Sequence, residues 1–293
     1  MNSKPPTFAL ALHGGAGAVA GRDYRETEQH LAELATDCRG RLADGERALD
    51  VVEHAVATME SSGLYVAGRG SAPNSVGRVE LDASIMDGAS RAAGAVAALQ
   101  DFENPVRVAR GVMEKTPHVM LAGNGAAAFA RQQGFAEVND PNSYYRLPVG
   151  VTRDDVGDIT HGTVGAVALD TSGCLAAATS TGGTFGKLEG RVGDTPLVGP
   201  GTWADDDIAI SCTGIGEHII RSGGASSIAF RYRSGLSLED AVGEMLDEVA
   251  RLGGDGGLIA VTRDGRIAMP YNSDGMKRAA VTSTSDIVVR TFE

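Results

Sequence analysis

Thr163-Val164-Gly165-Ala166-Val167-Ala168-Leu169, Thr171-Ser172-Gly173 and Cys174 to Thr179 form a strand, a three-residue turn and a second strand. A short apolar run bounded by glycine and polar residues predicts a buried strand, and a turn this short predicts a hairpin. Moving toward the N-terminus, Phe8 to Leu12 predicts a strand that ends in the glycine turn His13-Gly14-Gly15-Ala16-Gly17. Helices over Arg25 to Leu42 and Glu46 to Ser61 follow, each with one apolar face (Leu31, Leu34, Ala35, Cys38; Ala48, Val51, Val52, Ala55, Val56). Strands over Arg78 to Met86 and Ala92 to Leu99 flank the turn Asp87-Gly88, and helices over about Pro105 to Glu114 and Ala122 to Gln133 come next.

The hairpin opens a second half with the same grammar. It has a strand at Ile208 to Cys212, helices at Gly216 to Tyr232 and Ser237 to Leu252, and strands at Gly257 to Val261, Arg266 to Pro270 and Asp286 to Phe292. Strands in runs followed by helices in runs point to antiparallel sheets covered by helices, since parallel units would alternate strictly. Two such runs predict an α+β fold, a four-layer αββα sandwich in which two antiparallel sheets lie between helical layers. Between the halves, Phe135 to Gly162 has no sustained period, with Asp140-Pro141-Asn142, Tyr144-Tyr145, Pro148 and Arg153-Asp154-Asp155. A polar stretch this long inside a compact chain predicts a functional segment.

The 293 residues carry a formal net charge of -12, which argues against binding to a phosphate backbone. No run approaches the roughly 20 apolar residues of a membrane span, and Pro5, Pro6, His13 and several glycines interrupt the N-terminal stretch where a signal peptide would need an apolar core. Three cysteines without paired spacing suggest neither a disulfide framework nor a zinc knuckle, so a reducing cytoplasm is expected. The 40 glycines, about twice the usual share, sit beside short apolar runs and predict many tight turns.

Common catalytic templates fail on residues. There is no HExxH, the six histidines lack metal-ligand spacing, and there is no GxSxG elbow. In Gly182-Gly183-Thr184-Phe185-Gly186-Lys187, Leu188 replaces the hydroxyl a phosphate loop needs for magnesium. What remains is Thr163, where the polar stretch meets a buried strand. It is either simply the strand's first residue or, if the chain is cut after Gly162, a nucleophile whose own α-amine is its base. Arg191 and Asp194, in Gly190-Arg191-Val192-Gly193-Asp194, are either a solvated pair or a clamp for an α-carboxylate and an α-ammonium. Thr213-Gly214-Ile215-Gly216 is either a helix cap or an oxyanion site.

Four segments resemble the plant-type L-asparaginase/isoaspartyl peptidase family of N-terminal-nucleophile hydrolases. They are His161 to Asp170, Ala176 to Gly183, Gly190 to Gly199 and Ser211 to Glu217, and the likeness extends to His13 to Gly17, Leu81 to Gly88 and Gly253 to Gly257. The resemblance implies the αββα fold, one domain over 1-293, and autocleavage at Gly162-Thr163 into an α subunit 1-162 (linker about 135-162) and a β subunit 163-293. It implies Thr163 as nucleophile, Thr181 holding it, and Thr213 with Gly214 as oxyanion hole. Arg191 would bind the substrate α-carboxylate, and Asp194 with Gly216 its α-ammonium.

The implied activity is hydrolysis of β-aspartyl amides, isoaspartyl dipeptides or L-asparagine, by a dimer of αβ units without a catalytic cofactor. A glycosylasparagine-type amidase and a dormant aspartate binder are the alternatives. Where the family usually carries Asn, this chain has Val66, and Arg69-Gly70-Ser71-Ala72-Pro73-Asn74 is also unusual. The loop from Met59 to Arg69 resembles the segment whose carbonyls hold a structural sodium in relatives, which would place Met59, Glu60, Ser62, Tyr65, Ala67 and Arg69 around the ion.

Overall fold

The computed structural model describes residues 7–148 and 162–292. Residues 149–161, which include Arg153, Asp154, Asp155 and His161, lie outside the described residues. In chain order the first half contains β1 (Ala9–Ala16), α1 (Arg25–Ala43), α2 (Ala48–Ser62), β2 (Leu81–Asp87), β3 (Ala93–Leu99), α3 (Pro105–Lys115), β4 (Met120–Ala122), α4 (Gly123–Gln132) and the short α5 (Pro141–Tyr144). The second half contains β5 (Val164–Leu169), β6 (Leu175–Thr181), β7 (Thr202–Ala204), β8 (Ile208–Gly214), α6 (Gly216–Ser222), α7 (Gly224–Arg233), α8 (Leu238–Arg251), β9 (Gly256–Thr262), β10 (Ile267–Ala268), β11 (Met276–Thr282) and β12 (Val288–Arg290).

These strands form an eight-stranded sheet in the order β12-β11-β1-β5-β6-β2-β3-β4 and a four-stranded sheet in the order β10-β9-β8-β7. The fold is mixed α+β. Pairing is antiparallel except at one edge, where β4 joins β3 in parallel, which corrects the expectation of two purely antiparallel sheets. Continuous apolar strands follow from burial on both faces of the larger sheet. Along β1, Leu10 and Leu12 pack into one core with residues of α1, α2 and α3, while Ala9 and Ala11 face a second core shared with the four-stranded sheet and α6 to α8. Alanines recur in the second core (Ala177, Ala209, Ala260), where small side chains let two sheets approach. Truncating a fully buried residue such as Leu12 to Ala would cost about 2–5 kcal/mol.

Several boundaries differ from expectation. β1 runs through His13-Gly14-Gly15 to Ala16, where a glycine turn was expected, because the strand keeps its partner β11 across a register shift between His13 and Ala16. The helix expected over Gly216 to Tyr232 is two helices, broken at Gly223. β2 begins at Leu81 rather than Arg78. The polar stretch after Phe135 carries a helical turn, with Asp140 accepting from the Asn142 amide as its cap. Three strands went unpredicted: β4, β7 and β11. In β11, Lys277 and Arg278 follow Met276 at the start, which masked a strand whose centre from Arg278 to Val281 is buried.

Candidate active site

β5 and β6 are neighbours in the larger sheet and β8, in the smaller, packs across them, so that their ends carry Thr163, Thr181 and Gly214 to one place. These residues line a single cleft with Gly162, Arg191, Gly193, Asp194, Thr195 and Gly216. Residues far apart in the chain meet here because β5 pairs with β6 in register, Val164 opposite Ser180, which sets Thr163 beside Thr181.

At the Gly162-Thr163 bond, the Thr181 hydroxyl donates to the Gly162 carbonyl at 2.6 Å. Its oxygen accepts from the Gly183 amide at 3.0 Å, so the hydroxyl is oriented. A donor on the carbonyl that would be attacked stabilises negative charge as it develops there. Gly15, at φ +100, lies against the same peptide, and a β-carbon on it would sit 3.1 Å from the Thr163 nitrogen. Its lack of a side chain is what admits the two backbones to each other. Val66 presses on the other side of Gly162, and its carbonyl accepts from the Gly182 amide at 2.9 Å.

His13 holds the far side of Thr163. Its Nδ1 lies 3.1 Å from the Thr163 carbonyl and its Nε2 2.8 Å from the Ser211 hydroxyl. Complete burial lowers the imidazole pKa to about 3, so the ring is neutral with one proton. A carbonyl only accepts, so that proton sits on Nδ1 and Ser211 donates to Nε2. From Ser211 a buried chain continues through Thr179, Thr202 and Ser84 to the Thr195 carbonyl, next to Asp194. Six contacts share five protons, one on the imidazole and one on each of the four hydroxyls. Ser84 is where the shortage falls, for its single proton faces both the Thr195 carbonyl at 2.6 Å and the Thr202 hydroxyl at 2.8 Å.

The other wall is charged. Asp194 is buried, and burial raises its carboxyl to about 7. Its Oδ2 has no hydrogen-bond partner among the described residues. Gly216 closes on it, with the position of a β-carbon 3.0 Å from Asp194 Oδ1. An unpartnered carboxyl oxygen in a tight cleft invites a cation. Arg191 stands beside it, its Nε and Nη2 donating to the two oxygens of Glu217 at 2.8 and 2.7 Å.

The structure thus brings together Thr163, Thr181, Arg191, Asp194, Gly214 and Gly216. Thr213 stands apart from the cleft lining: it is fully buried in β8 and its hydroxyl accepts from the Ala16 amide at 3.1 Å. Sequence reasoning missed Glu217, His13 and the hydroxyl chain. The chain had a signal, since Thr179 and Thr181, like Ser211 and Thr213, are hydroxyl residues two apart within apolar strands and so share a face.

The loop from Met59 to Arg69 curls so that a β-carbon on Gly68 would lie 2.5 Å from the Glu60 carbonyl oxygen, and one on Gly70 2.0 Å from that of Tyr65. Ser62 O already accepts from the Arg146 guanidinium, and Arg69 O from the Arg146 amide. Neutral backbone oxygens are ligands suited to a hard cation. The Glu60 side chain is buried and raised to about 8 by desolvation, so it adds little charge near neutrality.

A family profile described as asparaginase matches residues 6–149 and 142–290. The chain is 44% identical to an isoaspartyl peptidase of Salmonella typhimurium, over 92% of this chain and 94% of the relative. It is 41% identical to an isoaspartyl peptidase/L-asparaginase of Homo sapiens, over 92% of each. A probable isoaspartyl peptidase/L-asparaginase 2 of Arabidopsis thaliana is 37% identical, over 98% of this chain and 99% of its own length.

Proposed function

We propose, from the premise that the chain belongs to the asparaginase family, that it hydrolyses β-aspartyl amide bonds in isoaspartyl dipeptides and L-asparagine. The observation that carries the reading is the hydrogen bond from Thr181 to the Gly162 carbonyl, 2.6 Å, at the head of a cleft that also holds a guanidinium and an unpartnered carboxyl.

In this reading the Thr163 hydroxyl first attacks the Gly162 carbonyl carbon while Thr181 bonds its oxygen. The peptide C–N bond breaks as Gly162 passes to Thr163 Oγ, the hydroxyl proton ending on the freed Thr163 nitrogen, and water then cleaves the ester. The products are residues 1–162 with a Gly162 carboxylate and residues 163–293 with a free Thr163 amine. An α-amine, with an ordinary pKa near 7.7–8.0, can take the hydroxyl proton that a peptide nitrogen cannot. Thr163 Oγ then attacks the side-chain carbonyl of the substrate, the leaving amine departs with that proton, and water resolves the aspartyl ester.

Arg191 takes the α-carboxylate, and Asp194 with Gly216 the α-ammonium. The backbone amide of Gly214 at the cleft serves the oxyanion. Thr213 completes that hole only by turning its own proton toward the cleft, since its oxygen is engaged by Ala16.

The layering proposed with this activity is the four-layer αββα sandwich of N-terminal-nucleophile hydrolases, one domain that is cut but not divided, paired as a dimer of αβ units in the cytoplasm. A sodium ion on the carbonyls of Met59, Glu60, Tyr65, Ala67 and Arg69 would brace the loop behind Val66 and take no part in the reaction. Ser62 is left out because its carbonyl faces the charged Arg146 guanidinium, whereas that of Arg69 meets only the neutral Arg146 backbone amide. Melting in sodium chloride against choline chloride checks the ion, and a higher melting temperature in sodium supports it.

Intact mass of the purified chain, beside Thr163→Ala, tests the main reading. Two fragments meeting at Gly162-Thr163, absent from the variant, together with release of aspartate from a β-aspartyl dipeptide, are expected. A chain that stays whole and releases nothing would sink it.

A further inference from the structure

Arg191 does not wait in the cleft unpaired. Its Nε and Nη2 are both taken by the carboxylate of Glu217, at 2.8 and 2.7 Å, in a two-point fork. A guanidinium offers five N–H groups in one plane and can hold a carboxylate along either of two edges, Nε with Nη2 or Nη1 with Nη2. Glu217 uses the Nε/Nη2 edge. The Nη1 side of the plane faces Gly193, with Nη1 lying 3.0 Å from where a β-carbon on that residue would stand. Gly193 and Gly216 belong to the cleft wall on either side of Asp194.

We infer that Glu217 is a positioning residue for the substrate carboxylate: it occupies the Nε/Nη2 edge of Arg191 and thereby presents the Nη1/Nη2 edge to the cleft. The inference rests on the proposed β-aspartyl hydrolase reading, in which Arg191 receives an α-carboxylate.

Three observations carry it. Glu217 directly follows Gly216, so the residue that aims the guanidinium and the residue that closes on Asp194 share the first turn of α6. The Arg191 side chain is only 17% exposed while that of Glu217 is 53% exposed, so the carboxylate approaches from the solvent side and leaves the inner edge clear. Hydrogen bonding from Arg191 also holds Glu217 below the usual carboxylate range, so it stays ionised wherever substrate would bind. A long side chain held in one plane loses less freedom when the ligand arrives, and so binds it more tightly.

The opposite possibility has the opposite sign. A carboxylate on the clamp could compete with the substrate for it, in which case removing Glu217 would strengthen binding.

The test uses the processed enzyme as wild type, Glu217→Ala and Glu217→Gln, with L-aspartate titrated by calorimetry and a β-aspartyl dipeptide as substrate. Glu217→Ala is expected to weaken aspartate binding and raise KM about tenfold, with kcat within about twofold, the order expected for losing charge-assisted hydrogen bonds at a half-exposed site. Glu217→Gln, which keeps an acceptor for one of the two bonds, should fall between. A purely structural defect would lower the active fraction, and with it kcat, while leaving KM alone. Unchanged or tighter aspartate binding by Glu217→Ala overturns the inference while the wild type still turns over the dipeptide. A wild type that neither binds aspartate nor cleaves the dipeptide overturns the hydrolase reading, and this inference with it.

Discussion

Val66 leaves Gly162 no room for a side chain: a β-carbon built there would lie 2.3 Å from the valine Cβ. The residue that replaces the usual asparagine therefore acts by shape on the peptide bond proposed to break. Gly162→Ala should force that peptide away from Thr181. Overpacking of this kind costs about 1–3 kcal/mol, which slows processing roughly 10- to 100-fold if it falls on the reactive geometry. Fragment yield against time on a gel measures it, and Val66→Ala added to Gly162→Ala should recover most of the rate. An unslowed Gly162→Ala would show that the contact is not felt.

Thr181→Val keeps the shape of the side chain and removes its proton. The Gly162 carbonyl then loses its 2.6 Å donor. Loss of one such donor typically costs roughly 100- to 1,000-fold. Self-cleavage in Thr181→Val should be slowed by about that factor, with little change in the circular dichroism spectrum.

Asp194 sets the acid limb of the pH profile. Burial raises its carboxyl to about 7, with Arg191 opposing the shift and the carboxylates of Asp82 and Glu217 adding to it. Only the ionised form sets a charge against the α-ammonium. Capture should thus be full above pH 7 and lost below it, aspartate affinity falling about tenfold per pH unit as one proton is taken up, while kcat/KM falls more steeply because the Thr163 α-amine is protonated as well. Asp194→Asn should raise KM and flatten this limb. A wild-type profile level from pH 5 to 8 would contradict the assignment.

The chain from His13 to Ser84 predicts a stability effect. Ser211→Ala leaves the His13 Nε2 without its 2.8 Å partner in a fully buried place. An orphaned buried acceptor costs about 1–3 kcal/mol. The measurement is best made by denaturant unfolding in a Thr163→Ala background, where the chain stays in one piece. Nitrogen-15 shifts of the His13 ring should report a proton on Nδ1 at neutral pH.

Much of this was legible in the residues. The hairpin at Thr163 and the apolar faces of α1 and α2 were readable because burial dictates period and composition together. β11 was not, since the Lys277 and Arg278 cations open a strand whose pairing with β1 is a long-range fact. The break at Gly223 was hidden by apolar residues that continue a helical period on both sides. At the site, Thr163, Arg191 and Asp194 were legible as candidates from residue type and placement, and the structure brings them to one cleft. Glu217 did not, because a glutamate in the first turn of a helix is common and its partner lies 26 positions away. Val66 was read as a missing asparagine, and its contact with Gly162 was visible only in space.

The larger sheet interleaves strands from the two sides of Gly162-Thr163: β12-β11 from after it, then β1 from before it, then β5-β6 from after it, then β2-β3-β4 from before it. β1 is sewn between β11 and β5, and β6 between β5 and β2, so a cut at that bond would yield two pieces woven into one fabric. Neither piece could leave without tearing the ladders that hold both. Such a protein would tolerate dilution while native, yet once unfolded its halves would have to find each other again, and recovery would depend on concentration. Heating past the transition would then become a one-way event, with durability set by how slowly the weave opens.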